Sequence, residues 1–143
     1  MQIFTTETLP CNERIAYWNE VICNNLLDIN TSVEIPVALE PQFKGELIRH
    51  DLGRLSLLDV QSQKSFSSIS RDFHRTSQAV DEFAMLNVQI SGTTIIEQAG
   101  RIARLQPGDM VLYDSRLPHK GEITDGTRGL LLRIPRDEMI NRI

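Results

Sequence analysis

The chain has 143 residues, of which 41% are hydrophobic and 24% are charged, and its formal net charge is −4. This length and composition predict one packed globular domain and exclude a disordered polypeptide. A negatively charged chain without a cluster of Lys and Arg is not expected to bind nucleic acid by itself.

The N-terminal residues predict an intracellular protein. The segment MQIFTTETLP lacks the basic start and apolar run of a signal peptide, and no apolar run in the chain reaches the roughly 18 residues of a membrane span. On a helix, Cys11 and Cys23 would lie about 18 Å apart, which is too far for a disulfide. We therefore expect a cytoplasmic protein with reduced cysteines and no membrane contact.

Residues 10–27 predict an amphipathic helix, and Thr8 before Pro10 is its start signal. The apolar face of this helix needs a partner surface, so Trp18 on that face is expected in the core. The apolar residues at helical spacing are Ile15, Trp18, Val21, Ile22 and Leu26.

Short apolar segments cut by turns predict a barrel or sandwich over residues 40–134. Segments rich in apolar and β-branched residues occupy 43–49, 55–61, 66–72, 83–91, 93–98, 101–105, 110–114, 119–123 and 128–134.

Turn signals predict how these strands are connected. Glycine recurs every eight residues at 92, 100 and 108, which predicts a meander over 84–114. The QPGD sequence at 106–109 favours a type II turn, in which an Asp commonly satisfies backbone donors. Asp125-Gly126 predicts a hairpin between the last two strands.

The last residues predict the start of a second helix. In 134–140 (IPRDEMI), a proline and two acids precede apolar residues, as at a helix N-terminus. We expect residues 135–143 to begin a linker or dimerisation helix, which fits a chain cut at a domain boundary.

Residues 105–123 resemble part of the second metal motif of cupin enzymes, but the expected ligands are missing. The chain has three histidines, His50, His74 and His119, and no two of them are close in sequence. A divalent metal needs three or four nitrogen or oxygen donors. The strands that should carry a His-x-His pair offer amides such as Asn87 and Gln89, which are poor ligands. No nucleophile motif is present either, so we expect no metal, no cofactor and no catalytic residue.

Basic side chains are the candidate ligand contacts. An inward-pointing Arg71 or Arg75 would bind a carboxylate through two hydrogen bonds. The alternative is that both belong to a solvated loop. Lys120 and Arg128, on the strands beside the predicted hairpin, carry the same two interpretations, and His119 is expected at a pocket mouth or in a loop contact.

An ordered set of short motifs resembles the N-terminal regulatory domain of the AraC/XylS family of transcription activators. The motifs extend from about residue 10 to residue 136, nearly the whole chain. They are Arg14-x-x-x-Trp18, Phe43-x-Gly45, Leu52-Gly53-x-Leu55-x-Leu57, Gln98-x-Gly100-Arg101, Leu105-x-Pro107-Gly108-Asp109, Tyr113-Asp114-Ser115, Pro118-His119 and Ile134-Pro135-Arg136.

The resemblance implies a mainly β fold: a cupin-like jelly-roll barrel (double-stranded β-helix) with an N-terminal helix and the start of a C-terminal helix. It implies one effector-binding and dimerisation domain over 1–143. The barrel would be metal-free, the protein a homodimer, and DNA would be bound by a C-terminal helix-turn-helix domain absent from this chain. The effector would be a small aromatic or carboxylate metabolite. By analogy, its ligand-binding residues would be Arg71, Arg75, His119, Lys120, Arg128 and Leu130.

Two other functions remain open at this point. One is a cupin-type enzyme, either a metal-dependent oxygenase or an isomerase. The other is a dimerisation scaffold whose barrel is filled by its own side chains and binds no ligand.

Overall fold

The computed structural model describes residues 1–22, 24–25, 31–34, 43–63, 65–69, 83–114, 119–124 and 126–141. The described residues form eleven strands, one 3-10 helix (Cys11–Glu13) and two α-helices, α1 (Arg14–Ile22) and α2 (Arg136–Asn141). The strands are β1 (Gln2–Thr5), β2 (Thr31–Glu34), β3 (Gly45–Leu52), β4 (Leu55–Ser62), β5 (Ser65–Ile69), β6 (Phe83–Ser91), β7 (Thr94–Gln98), β8 (Arg101–Leu105), β9 (Met110–Asp114), β10 (His119–Ile123) and β11 (Thr127–Pro135).

The strands form two antiparallel sheets. The six-stranded sheet has the order β1-β3-β4-β11-β6-β9, and the five-stranded sheet has the order β2-β5-β10-β7-β8. From β4 onward the chain passes repeatedly from one sheet to the other, which is the topology of a jelly roll. The predicted mainly β, cupin-like jelly-roll fold is confirmed.

The nine predicted strands are all present, but two predicted connections are wrong. The segment 84–114 is no meander, because β6 pairs with β9 and β11 and only β7 and β8 form a hairpin. Strands β10 and β11 belong to different sheets, so the turn at Gly126 (φ +72°) joins the two sheets. A turn motif specifies a local change of chain direction and leaves open which sheet the next strand joins.

The predicted type II turn at 106–109 is confirmed. The Asp109 N–H donates to the Gln106 carbonyl at 2.9 Å, and Gly108 has the positive φ (+95°) that this turn requires. The Asp109 carboxylate accepts a hydrogen bond from the Gln106 N–H at 2.9 Å. Asp109 therefore has the turn-forming role expected from the sequence.

Helix α1 packs on one face of the six-stranded sheet, which we call the inner face; the opposite face is the outer face. Side chains alternate strictly along β11, where Leu131 is buried on the inner face and Leu130 is half-buried on the outer face. The inner face and α1 together form the core, and the position predicted for Trp18 is confirmed. The core consists of Trp18, Val21, Ile22, Phe43, Leu47, Leu58, Val60, Met85 and Leu131.

The first helix is joined to β3 by two residues of one predicted motif. Trp18 is 1% exposed and packs on Phe43 with ring centroids 5.9 Å apart. Arg14 donates to the carbonyls of Leu9 (3.0 Å) and Phe43 (3.3 Å). The 3-10 helix begins after Pro10 without a side-chain cap, so the expectation that Thr8 starts this helix is wrong.

Helix α2 begins directly after Pro135, which ends β11, and it has the two predicted acids in its first turn. Both acids accept hydrogen bonds from Arg54 at the β3–β4 turn, Asp137 at 2.9 Å and Glu138 at 2.9 Å. The predicted helix start is confirmed. None of the helices that the structure describes has the length and hydropathy required to cross a membrane.

Candidate functional site

Three polar side chains are buried on the inner face of the central strands β6 and β11. Asn87 is 6% exposed, Gln89 is 1% exposed and Arg133 is 6% exposed. In the register of the two strands, Arg133 pairs with Met85, Leu131 with Asn87, and Gly129 with Gln89. The polar groups therefore lie along the middle of the sheet, where apolar residues would otherwise be expected.

Arg133 is held at the end of the site nearest α1. Its guanidinium donates to the Asn25 carbonyl at 3.4 Å and lies 3.7 Å from the centroid of the Phe83 ring. Arg49 on β3 donates to the Asn25 side chain at 3.1 Å. Asn25, just beyond α1, is thus hydrogen-bonded to two inner-face arginines, and these bonds connect the sheet to the helix.

Gln89 is fixed in position by the 106–109 turn and by its own side chain. Its N–H donates to the Asp109 carbonyl and its carbonyl accepts from the Gly108 N–H, each at 2.9 Å. The side-chain Nε2 donates to the Ser91 carbonyl at 2.9 Å. This bond defines the orientation of the amide, because a flipped amide would place two acceptor oxygens together.

Two acceptor atoms in the site have no donor in the part of the chain that the structure describes. The buried Asn87 Oδ1 and Gln89 Oε1 receive no hydrogen bond from the described residues. A buried acceptor without a donor costs roughly 1–3 kcal/mol, so native proteins seldom retain one without a reason. A molecule that supplies two donors would remove this cost.

Gly129 is the inner-face neighbour of these two acceptors on β11. It pairs with Gln89 across the strands, and a Cβ at this position would lie 3.1 Å from Asn87 Oδ1. The five-stranded sheet also has buried residues. Thr94 and Ile96 of that sheet are each 7% exposed, and Gly121 pairs with Ile96 in the register.

The structure does not bring the sequence-predicted site residues together. Arg71 and Arg75 lie outside the described residues. His119 begins β10 and pairs in register with Gln98 and Ile69, and the Lys120 side chain is exposed.

Arg128 and Leu130 lie on the outer face of β11, away from Asn87 and Gln89. Arg128 forms two hydrogen bonds with Asp59, at 3.0 Å and 2.8 Å, and this ion pair raises its pKa. Leu130 pairs in register with Asp59 on the same outer face. Their neighbours at odd positions of β11 face inward, because strand side chains alternate with a period of two.

Sequence reasoning missed Arg133 and did not assign a binding role to Asn87 and Gln89. One signal was available: if Leu131 faces the core, then Gly129 and Arg133 must share its face. The amides were noted only as poor metal ligands. Their value as hydrogen-bonding groups depends on burial, which the alternation of β6 alone does not give.

A second, open groove lies at one end of the six-stranded sheet. Its volume is about 420 Å³, and its lining is polar, including Glu46, Gln61, Ser62, Ser91, Thr127 and Arg128. The Arg128 guanidinium is already engaged by Asp59.

The described residues do not contain a cluster of metal ligands. No group of three or more His, Cys, Asp or Glu side chains among them is placed to hold a metal ion. Burial raises the pKa of Tyr113, which keeps this phenol protonated. The pKa of Asp51 is lowered by hydrogen bonds from Arg49 and Ser56 at the sheet end, which is an ordinary surface ion pair.

Comparison with known proteins identifies relatives of this barrel. The AraC-binding-like domain family matches residues 30–142. A protein encoded in the nit 5′ region of Bacillus sp. (strain OxB-1), described as uncharacterized, is 25% identical over 138 residues, which are 96% of this chain and 51% of that protein.

Solved structures share the fold. The AraC-like transcriptional activator CuxR superposes with a TM-score of 0.80 at 23% identity, over 99% of this chain and 50% of that one. The EutQ protein of Clostridium difficile superposes with a TM-score of 0.51 at 13% identity, over 73% of this chain and 77% of that one. The present chain therefore spans about half the length of the curated relative and of the activator.

Proposed function

Because this chain belongs to the AraC-binding-like domain family, we propose that it is the effector-sensing domain of a bacterial-type transcription regulator. It binds a small organic metabolite inside the barrel, without a metal and without catalysing a reaction. The observation that carries this proposal is the pair of buried acceptors, Asn87 Oδ1 and Gln89 Oε1, on the inner face. The match to an AraC-like activator over 99% of the chain supports it.

The same strand that lines the site leads to the next part of the protein. Strand β11 carries Gly129 and Arg133 and continues directly into α2, which contacts both β6 and β11. An effector that binds one arrangement of β11, α1 and α2 more tightly than another shifts their populations. We propose that a C-terminal DNA-binding domain, acting in the cytoplasm, reads this shift.

A homodimer is part of the proposal, and the outer face is its interface. The outer face carries several large apolar side chains that are more than a third exposed. They are Ile3 (54%), Leu52 (56%), Ile90 (39%), Met110 (62%) and Leu112 (53%). Ile90, Met110 and Leu112 lie together on the neighbouring strands β6 and β9, and an exposed apolar patch marks an interaction site more often than a solvated surface.

The dimer is tested by placing a charge on this face. We expect Leu112→Asp to shift the protein from dimer to monomer in analytical ultracentrifugation, because a buried unpaired carboxylate is costly. The matched control is Ile102→Asp on the outside of the other sheet, where the side chain is 69% exposed. A monomeric wild type, or a dimer that survives Leu112→Asp, contradicts the interface.

A thermal-shift screen tests the sensor function. An effector at 100 times its Kd should stabilise the domain by about 2.7 kcal/mol, which raises the melting temperature by several degrees. Metal analysis of the same sample should find Fe, Mn and Zn well below one equivalent. Near-stoichiometric metal, or the absence of a helix-turn-helix region in the parent gene, would overturn the proposal.

A further inference from the structure

From the geometry of Asn87 and Gln89 we infer the chemical class of the effector: a molecule that presents two hydrogen-bond donors, O–H or N–H, to β6. The inference rests on the proposed function and adds to it, because it separates donor-bearing metabolites from plain aromatic or aliphatic carboxylates. The two amide oxygens belong to alternate residues of one strand and share its inner face.

The orientation of the Gln89 amide makes it an acceptor. The Gln89 Nε2 is already used by the Ser91 carbonyl at 2.9 Å, so the oxygen of this amide is the atom left for a ligand. The Asn87 oxygen is likewise buried without a donor among the described residues. A carboxylate placed here would bring acceptor against acceptor, whereas a hydroxyl, amine or ring N–H would form a hydrogen bond.

The acceptors are held rigidly, as a specificity site requires. The backbone of Gln89 is bonded on both its N–H and its carbonyl to the turn at Gly108 and Asp109. Asn87 lies between Leu131 on β11 and Val111 on β9 in the register. Two strands therefore flank it.

Gly129 lies directly beside Asn87 Oδ1. A Cβ at this position would be only 3.1 Å from that oxygen. Glycine therefore avoids a close contact that any other residue would make with this acceptor.

The first experiment uses Asn87→Leu without any added compound. If Asn87 Oδ1 makes no hydrogen bond within the fold, its removal leaves the urea midpoint unchanged or raised. Gln61→Leu, an exposed amide on β4, is the matched control. A clear drop in the midpoint for Asn87→Leu alone would show that the amide already serves the fold, and would overturn the inference.

The second experiment compares compounds in a thermal-shift screen of wild type, Asn87→Leu, Gln89→Leu and Gln61→Leu. The probes are a polyol (myo-inositol), a phenol (catechol), a nitrogen donor (adenine) and a donorless acid (benzoate), within a broad metabolite library. Each hit is repeated with its O- or N-methylated analogue, such as 1,2-dimethoxybenzene for catechol.

We expect every stabilising compound to carry at least two donors, and we expect methylation of those donors to abolish the thermal shift. Asn87→Leu and Gln89→Leu should each bind such a compound at least tenfold more weakly than the wild type. Gln61→Leu should bind it with unchanged affinity. Whether the hydroxyl probes or the nitrogen probe stabilise the protein then shows which kind of donor the site binds. If benzoate or a methylated analogue stabilises all four proteins equally, the domain is a sensor but this inference is wrong. If no compound in the library stabilises the wild type, the sensor function and the inference both fail.

Discussion

Trp18 on α1 packs directly against Gly45 at the start of β3. A Cβ on Gly45 would lie 2.8 Å from the Trp18 ring, and Arg14 on the same helix donates to the Phe43 carbonyl at 3.3 Å. The motifs Arg14-x-x-x-Trp18 and Phe43-x-Gly45 are therefore two halves of one contact. They hold α1 against β3, and none of their side chains is free to bind a ligand.

Gly45→Ala is expected to destabilise the domain by about 1–3 kcal/mol, because the added methyl group overpacks the Trp18 ring. Urea unfolding measures the change, with Glu46→Ala on the outer face as the control. The smaller ring of Trp18→Phe should recover part of the loss in the double variant. Additive losses in the double variant would show that the two residues do not compete for space.

Asp51 gives a pH dependence of stability. Hydrogen bonds from Arg49 and Ser56 hold its pKa below the ordinary value of 3.8. A lowered folded-state pKa contributes stability above the unfolded-state value, and this contribution disappears as the pH falls through the folded-state value.

The wild type should therefore be more stable than Asp51→Asn at pH 6, and the difference should vanish in acid below the ordinary Asp pKa. The carboxylate is more than half exposed (55%), so we expect the difference to be small. Urea midpoints between pH 2.5 and 7 provide the comparison. A difference that stays constant over this range would assign the effect to something other than ionisation.

The positions of the strands were more predictable from the sequence than the pairing between them. Segments such as 83–91 and 128–134 contain β-branched and apolar residues between clear turns, and both are strands in the structure. Strands β1 and β2 were not predicted, because four residues such as QIFT carry too little periodicity. The hairpin expected at 125–126 was wrong because strand pairing depends on the whole barrel.

The candidate site was predictable only as a location inside the barrel. Arg133 points inward and Arg128 points outward because they are an odd number of residues apart on β11, and both residues are basic in the sequence. Nothing in the local composition distinguishes them. Only the position of α1 on the sheet identifies the inner face.

The two faces of β11 predict contrasting roles for its residues. Arg128→Ala removes an ion pair in which Arg128 is 43% exposed and screened by solvent, so it should change the stability only slightly. It should leave effector binding unchanged, whereas Gly129→Val should weaken binding because its side chain would press on Asn87 Oδ1. Calorimetric titration of the two variants makes the comparison. Loss of binding in Arg128→Ala with retention in Gly129→Val would place the site in the outer groove instead.

In the complete domain, the barrel interior, α1 and α2 form one connected unit. Arg49 and Arg133 join the sheet to the end of α1, and Arg54 joins the β3–β4 turn to α2. A metabolite bound at Asn87 and Gln89 would therefore lie on a strand that α2 contacts directly. This arrangement suits a protein that converts occupancy of a pocket into a shift of domain position.

Two-dimensional ¹H–¹⁵N NMR of the domain, titrated with a compound that raises its melting temperature, locates the binding site. We expect the largest saturable shifts in the backbone amides of β6 (Phe83–Ser91) and β11 (Thr127–Pro135), together with the Asn87 and Gln89 side-chain amides. Smaller shifts should follow in α2 as its populations change. Shifts confined to the outer groove around Glu46, Gln61 and Arg128 would contradict binding inside the barrel.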